Sequence, residues 1–250
     1  MGKQAAFKTN PVSLEELLRQ CGNGKIQLPD FQCSWVWDEE RIKGLIASIS
    51  QAFPVGALMT LEVKPDAADT FARRPIQGAD AEVGDGAPDQ LLLDGQQRMT
   101  SLYQTCLRRE VVQTVTPRLK LVKRWFYVDI RKAMNPSEDR ENAIVSVPED
   151  RRIKSDFDRK IDLDLSTPEL EYQNLMFPLN QVFDWDEWQD GFNEYWLEND
   201  PEPPRVSERL VCPKLRRLFQ EHSSLHGIRP PVLAAADGHW SCIAARCCTS

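Results

Sequence analysis

The chain has 250 residues and a formal net charge of −7, from 31 basic and 38 acidic side chains. Hydrophobic content of 41% beside 28% charged residues excludes a disordered, collagen-like or coiled-coil chain. It leaves one large globular domain or two small ones, long enough to bury a core without staples. The acidic balance also excludes indiscriminate binding to polyanions, because long-range repulsion opposes approach.

Seven cysteines lie at 21, 33, 106, 212, 242, 247 and 248, with no CxxC pair, so neither a disulfide framework nor a structural zinc site is supported. The start, Met1-Gly2-Lys3-Gln4, has no apolar signal region. Apolar runs such as Leu91-Leu92-Leu93 fall far short of the ~20 residues of a membrane span. A cytoplasmic protein with free thiols and no membrane contact is the expectation.

Ser13-Leu14-Glu15-Glu16 has the capping-box pattern, and Leu14, Leu17 and Leu18 then recur at helical spacing until Cys21-Gly22-Asn23-Gly24. Lys25 to Leu28 alternates as a short strand closed by Pro29. An aromatic loop follows with Phe31, Trp35 and Trp37, suited either to core packing or to stacking a base. Asp38 caps a second helix whose buried stripe is Ile42, Leu45, Ile46 and Ile49. Phe53-Pro54-Val55-Gly56 turns the chain into a strand over 57–63, and residues 64–89 read as a long surface insertion.

Leu91-Leu92-Leu93 is a strand, Gly95 a tight turn, and Met99, Leu102, Tyr103 and Cys106 mark a helix that begins near Gln96. Residues 125–130 form another strand. The stretch 131–164 carries 17 charges in 34 positions and reads as a surface excursion outside the core. Residues 175–196 are aromatic-rich, and much of the stretch is expected to be helical and packed. A basic helix over 205–221 and an irregular tail over 226–250 complete the chain. His222, His226 and His239 match no tight metal-ligand spacing.

Two basic patches stand out, one with Arg108, Arg109, Arg118, Lys120, Lys123 and Arg124, the other with Arg205, Arg209, Lys214, Arg216 and Arg217. Each reads as a solvated face or as a local site for nucleic acid.

The turn at Asp94 carries the chemistry. A strand that passes through glycine into a helix start gathers unpaired N–H groups and the positive end of the helix dipole. Gly95 admits close approach of a ligand, and Arg98 offers a planar fork of donors to phosphate oxygens. Asp94 suits a magnesium ion or a water, and Gln96 and Gln97 can orient that water. The bland alternative has Asp94 as a cap and Arg98 paired with a surface acid.

The runs Ile26-Gln-Leu-Pro-Asp-Phe-Gln-Cys-Ser-Trp-Val-Trp37 and Leu91-Leu-Leu-Asp-Gly-Gln-Gln-Arg-Met-Thr-Ser-Leu-Tyr103 closely resemble the N-terminal domain of GmrSD-type modification-dependent restriction endonucleases. The order of a helix followed by Phe53-Pro-Val-Gly56 matches as well. The resemblance implies a mixed α/β, α+β domain of the ParB/sulfiredoxin-like type over residues 1–225, with a helical, aromatic-rich C-terminal extension.

It further implies that the Asp-Gly-Gln-Gln-Arg turn binds and hydrolyses a nucleoside triphosphate with Mg2+, coupled to recognition of modified or foreign DNA in anti-phage defence. Asp94, Gln97 and Arg98 are then catalytic, with Asp94 also the metal ligand. Gly95, Gln96, Gln97, Arg98 and Thr100 bind nucleotide, while Phe31, Gln32, Trp35, Arg108 and Arg109 contact DNA or a base. Cys33 stands where the family motif has arginine, which removes a cation.

The family implies an HNH-type nuclease, fused or as a partner chain, and no such motif occurs in this sequence. The texture from about residue 225 suggests a frameshifted or truncated frame. A non-enzymatic DNA- or partner-binding module, a DNA-nicking turn and an inactive remnant are the alternative functions. Oligomeric state is not legible in the sequence.

Overall fold

Each early helix starts where a side-chain oxygen can take a backbone N–H. A computed structural model describes residues 8–63, 72–79, 86–116 and 118–199, and the backbone of 224–229. Strand β1 (Lys8–Ser13) ends on Ser13, whose hydroxyl accepts from the Glu16 N–H at 3.2 Å and opens helix α1 (Leu14–Gly22). Leu14, Leu18 and Cys21 are its buried face, and burial pushes the Cys21 thiol up to about 12. Strand β2 (Ile26–Pro29) is buried throughout. Asp38 accepts from the Arg41 N–H at 2.9 Å and caps α2 (Glu39–Ser50), with Ile42, Leu45, Ile46 and Ile49 inward as the spacing predicts.

Next come β3 (Leu58–Glu62), β4 (Arg73–Arg74), β5 (Gln90–Asp94) and α3 (Gln96–Leu102), which widens into a π turn over Tyr103–Leu107. The hairpin of β6 (Val112–Val115) and β7 (Leu121–Asp129) leads into α4 (Ile130–Met134), β8 (Ile144–Pro148), β9 (Arg152–Ser155) and β10 (Lys160–Asp164). Helix α5 (Pro168–Asn174), β11 (Met176–Pro178), α6 (Trp185–Asn199) and β12 (Ser224–Arg229) complete the described elements.

The described residues group into two units. The first holds a six-stranded mixed sheet in the order β1-β12-β3-β5-β2-β4. Within it β5 runs parallel to β2, with Ile26 opposite Gln90, and antiparallel to β3. Leu91 and Leu92 are buried in this interior strand, which is why the sequence shows a continuous apolar run there. In the second unit β7 is central, with antiparallel β8 on one side and β6 and β11 end to end on the other. The β9–β10 pair stands as a separate hairpin.

The α+β class is as expected, but two local readings change. Residues 131–164 are not all surface: β8 sits beside β7, and Ala143, Ile144 and Val147 are buried. The high average charge of that stretch hides a six-residue run, Ala143-Ile-Val-Ser-Val-Pro148, long enough for one strand. The aromatic segment opens with strand β11 and a 3-10 turn over Leu179–Gln181, and much of the rest is helical in α6, as expected. Of the insertion 64–89, residues 72–79 and 86–89 are described; β4 pairs with β2 and Ile76 is fully buried. Residues 64–71 and 80–85 lie outside the described residues, as do the basic helix expected over 205–221 and the tail from 230. The first residues assigned to that tail belong to β12, antiparallel to β1 and parallel to β3.

The second unit buries one acid. Glu171 of α5 is inaccessible, accepts from the Tyr127 hydroxyl at 3.0 Å and lies 3.3 Å from Arg151 Nη1. Arg151 in turn covers the Trp125 ring, 4.4 Å from its centroid. Desolvation dominates, and it pushes the Glu171 carboxyl up from its ordinary 4.5 to about 7 despite Tyr127 and Arg151, while the Tyr127 hydroxyl is raised as well. The folded protein therefore keeps a proton that the unfolded chain releases between those two values, so stability falls as pH rises through this window. Glu171→Gln should remove that loss, worth up to about 3 kcal/mol. Urea midpoints followed by tryptophan fluorescence at pH 5 and pH 8 check it: the variant should gain on the parent at pH 8. Parallel pH profiles would contradict the assignment.

Candidate functional site

Strand β5 hands the chain to α3 through Gly95 at φ +93°, in the left-handed region where a side chain is strained. A Cβ at Gly95 would overlap Leu58 Cδ2 and come within 3.4 Å of Arg98 Nη2. The glycine is thus needed for the turn and for packing Leu58.

Gly56 does similar work from the other side. Its φ is +88°, and a Cβ there would sit 2.7 Å from Arg98 Nη1. The two glycines leave a notch, and the Arg98 guanidinium lies in it. Its Nη2 is 3.3 Å from Asp94 Oδ2; the Arg98 side chain is 19% exposed and that of Asp94 67%. An ion pair with one partner so open to water contributes about 0–1 kcal/mol, so a stronger anion can displace the carboxylate.

The loop after β2 is hung beside this turn by side-chain amides. Gln32 Nε2 donates to the carbonyls of Leu92 and Leu93, both at 2.8 Å. Gln96 Nε2 donates to Cys33 O at 2.6 Å and Gln97 Nε2 to Ser34 O at 2.9 Å. Arg74 of β4 adds two bonds from Nη2, to Gln32 O at 3.1 Å and Cys33 O at 3.0 Å. Strand-end carbonyls and loop carbonyls that lack a ladder partner are satisfied in this way.

The expected site residues are placed as follows. Gln32, Gln96 and Gln97 donate side-chain amide hydrogens to backbone carbonyls and so position the loop. Thr100 is fully buried and Trp35 is buried in packing; Phe31 is 65% exposed. Arg108 pairs with Glu110, and Arg109 pairs with Asp184 at 2.5 Å, both in the second unit. Asp94, Gly95 and Arg98 do meet, as their spacing requires. Leu58 and Arg74 were not singled out by the sequence. Gly56 was read only as a turn residue, though its order after α2 was visible. Among the described residues no three His, Cys, Asp or Glu side chains cluster to hold a metal, and no helix is long and apolar enough to cross a membrane.

Residues 14–202 match the profile of the GmrSD restriction endonuclease, N-terminal domain. The chain belongs to this family. It is also 29% identical, over 144 residues, to the uncharacterized protein MJ0686 of Methanocaldococcus jannaschii, a match covering 56% of this chain. The match spans 23% of that curated relative's length. Every element of the Asp94 turn, the loop over 30–35 and Gly56 falls inside the matched GmrSD segment.

If Gly56 exists to seat Arg98, the two positions are coupled. Gly56→Ala should cost about 1–3 kcal/mol from left-handed strain and displacement of the guanidinium. In an Arg98→Ala background the same change should cost less, by at least about 0.5 kcal/mol. Urea unfolding of the four proteins of this cycle measures the difference, and strictly additive costs would remove the seat.

Proposed function

We infer that this GmrSD N-terminal domain is the nucleotide-responsive module of a modification-dependent restriction system, binding and hydrolysing a nucleoside triphosphate at the Asp94–Arg98 turn in response to modified or foreign DNA. The supporting observation is Arg98, held between Gly56 and Gly95 and tied to a carboxylate that faces water. A guanidinium fixed before the ligand arrives does not reorganise during reaction, which is where electrostatic stabilisation is most effective.

Phosphoryl transfer to water needs positioning and charge stabilisation, and no covalent nucleophile. Arg98 binds phosphate oxygens in place of Asp94 and neutralises charge that grows on them. The displaced Asp94 carboxylate aligns the attacking water or holds Mg2+. One open carboxylate fits magnesium, which keeps most of its waters and takes the rest of its ligands from phosphate. When bound, the ion neutralises charge on the phosphate oxygens. Gln96, Gln97 and Arg74 keep the neighbouring loop in place. An HNH-type nuclease domain or partner would act on the DNA.

A second reading has its own support: Leu58 fills the space beside Gly95, which favours a turn that holds a phosphate without turning it over. Phosphate release from ATP, GTP and CTP with Mg2+, with and without modified duplex DNA, separates the two. The first reading expects release, lowered about 100-fold or more by Arg98→Ala with the unfolding midpoint little changed. Binding without release favours the second. Undiminished release in the variant removes Arg98 from the chemistry.

A further inference from the structure

The hairpin of β6 and β7 is a positively charged stretch of this acidic chain. From Val111 to Val128 there are four cations, Arg118, Lys120, Lys123 and Arg124, and no acid, in a chain of net charge −7. A solvated face of an acidic protein is ordinarily mixed in sign.

Described residues on either side of the tip are tied together by backbone and side-chain hydrogen bonds. Thr116 N–H donates to Lys120 O at 2.9 Å, Leu119 N–H to Thr116 O at 2.8 Å, and Lys120 N–H to the Thr116 hydroxyl at 3.2 Å. At the base, the Thr114 hydroxyl donates to Trp37 O at 2.6 Å, and Val115 bridges Asp38. Strand β8 pairs with β7 only from Arg124 onward, so residues 121–123 project past its end as a two-stranded ribbon with β6.

The two faces of the ribbon differ. Val112 and Thr114 are buried, and Val122 lies on their side. On the other face Val115 opposes Leu121 and Gln113 opposes Lys123. Leu119 and Leu121 are each 79% exposed, flanked by exposed Arg118 and Lys120. Leu119 is moreover held at φ +59°, a conformation that costs a leucine about 1–2 kcal/mol. That conformation closes the turn and leaves the leucine side chain facing water at the tip. Lys123 pairs with Glu149 at 2.6 Å, but both side chains are open to water, so a phosphate can take the place of the carboxylate.

We propose that this hairpin is a DNA-contacting element, with Arg118, Lys120 and Lys123 on backbone phosphates and Leu119 and Leu121 against base edges in a groove of the duplex. It rests on the DNA-sensing part of the function inferred above and adds the surface that performs it. A two-stranded ribbon fits the major groove, about 12 Å wide, where leucine can meet thymine methyls, and leucines also serve as wedges in the minor groove. The cations supply affinity, because each phosphate neutralised releases counterions. The leucines supply what a purely electrostatic contact lacks, a term that salt does not remove.

The test is fluorescence anisotropy of the purified full chain on a labelled 30-base-pair duplex between 50 and 200 mM salt, beside nucleotide turnover without DNA. Arg118→Glu with Lys120→Glu should weaken binding at least about tenfold at low salt and flatten the log–log salt slope by about two. Leu119→Ser with Leu121→Ser should weaken binding while leaving the slope unchanged. Circular dichroism and turnover without DNA should match the parent in both variants.

Unchanged duplex affinity in the charge-reversed variant overturns the hairpin and leaves the nucleotide reading standing. A parent that binds duplex through the hairpin but releases no phosphate overturns turnover and leaves the hairpin standing. Failure of the parent to bind duplex overturns the hairpin, as does retention on vesicles containing phosphatidylserine with no binding to duplex.

Discussion

The arrangement at the turn depends on a backbone conformation that only glycine adopts cheaply, placed where a leucine needs the space. Gly95 lets β5 end abruptly, and Leu58 occupies the volume a side chain would have taken. With that volume filled, Arg98 has one place to go, the gap bordered by Gly56. Steric exclusion on two sides therefore helps to fix a charged group whose partner Asp94 is exposed to water. This is packing used to orient electrostatics, and it explains why two glycines about forty residues apart belong to one device.

The loop at 30–35 shows a second use of the same economy. It has no ladder of its own beyond β2, yet its carbonyls are met by Gln96, Gln97 and Arg74, while Gln32 reaches back to β5. Side-chain amides thereby replace sheet hydrogen bonds. The Cys33 carbonyl takes two donors, one from α3 and one from β4, so helix, edge strand and loop share a single peptide group.

Much of the frame was legible because it follows local rules. Ser13 and Asp38 cap as their neighbours dictate, and the stripe of α2 is set by a 3.6-residue period. The strand–glycine–helix passage at 91–98 announces itself through an apolar run and one turn residue. What sequence could not show is long-range. Nothing in Gly56 states that a guanidinium forty-two residues later will lie against it, and nothing in Gln96 says that its amide faces Cys33 instead of water. Thr100 has a polar side chain and is nonetheless fully buried, because helical position overrides residue type. Strand β8 was hidden for a different reason, since averaging charge over 131–164 erased a short alternating run.

Asp94 already pairs with Arg98, so on the function proposed above the turn would work as an exchanger. An incoming anion does not settle into an empty berth; it evicts a resident negative charge and inherits it as a close neighbour. The newcomer and the evicted carboxylate then repel each other unless something positive arrives between them. On the function proposed above, loading of a polyanion would therefore be coupled to uptake of a cation.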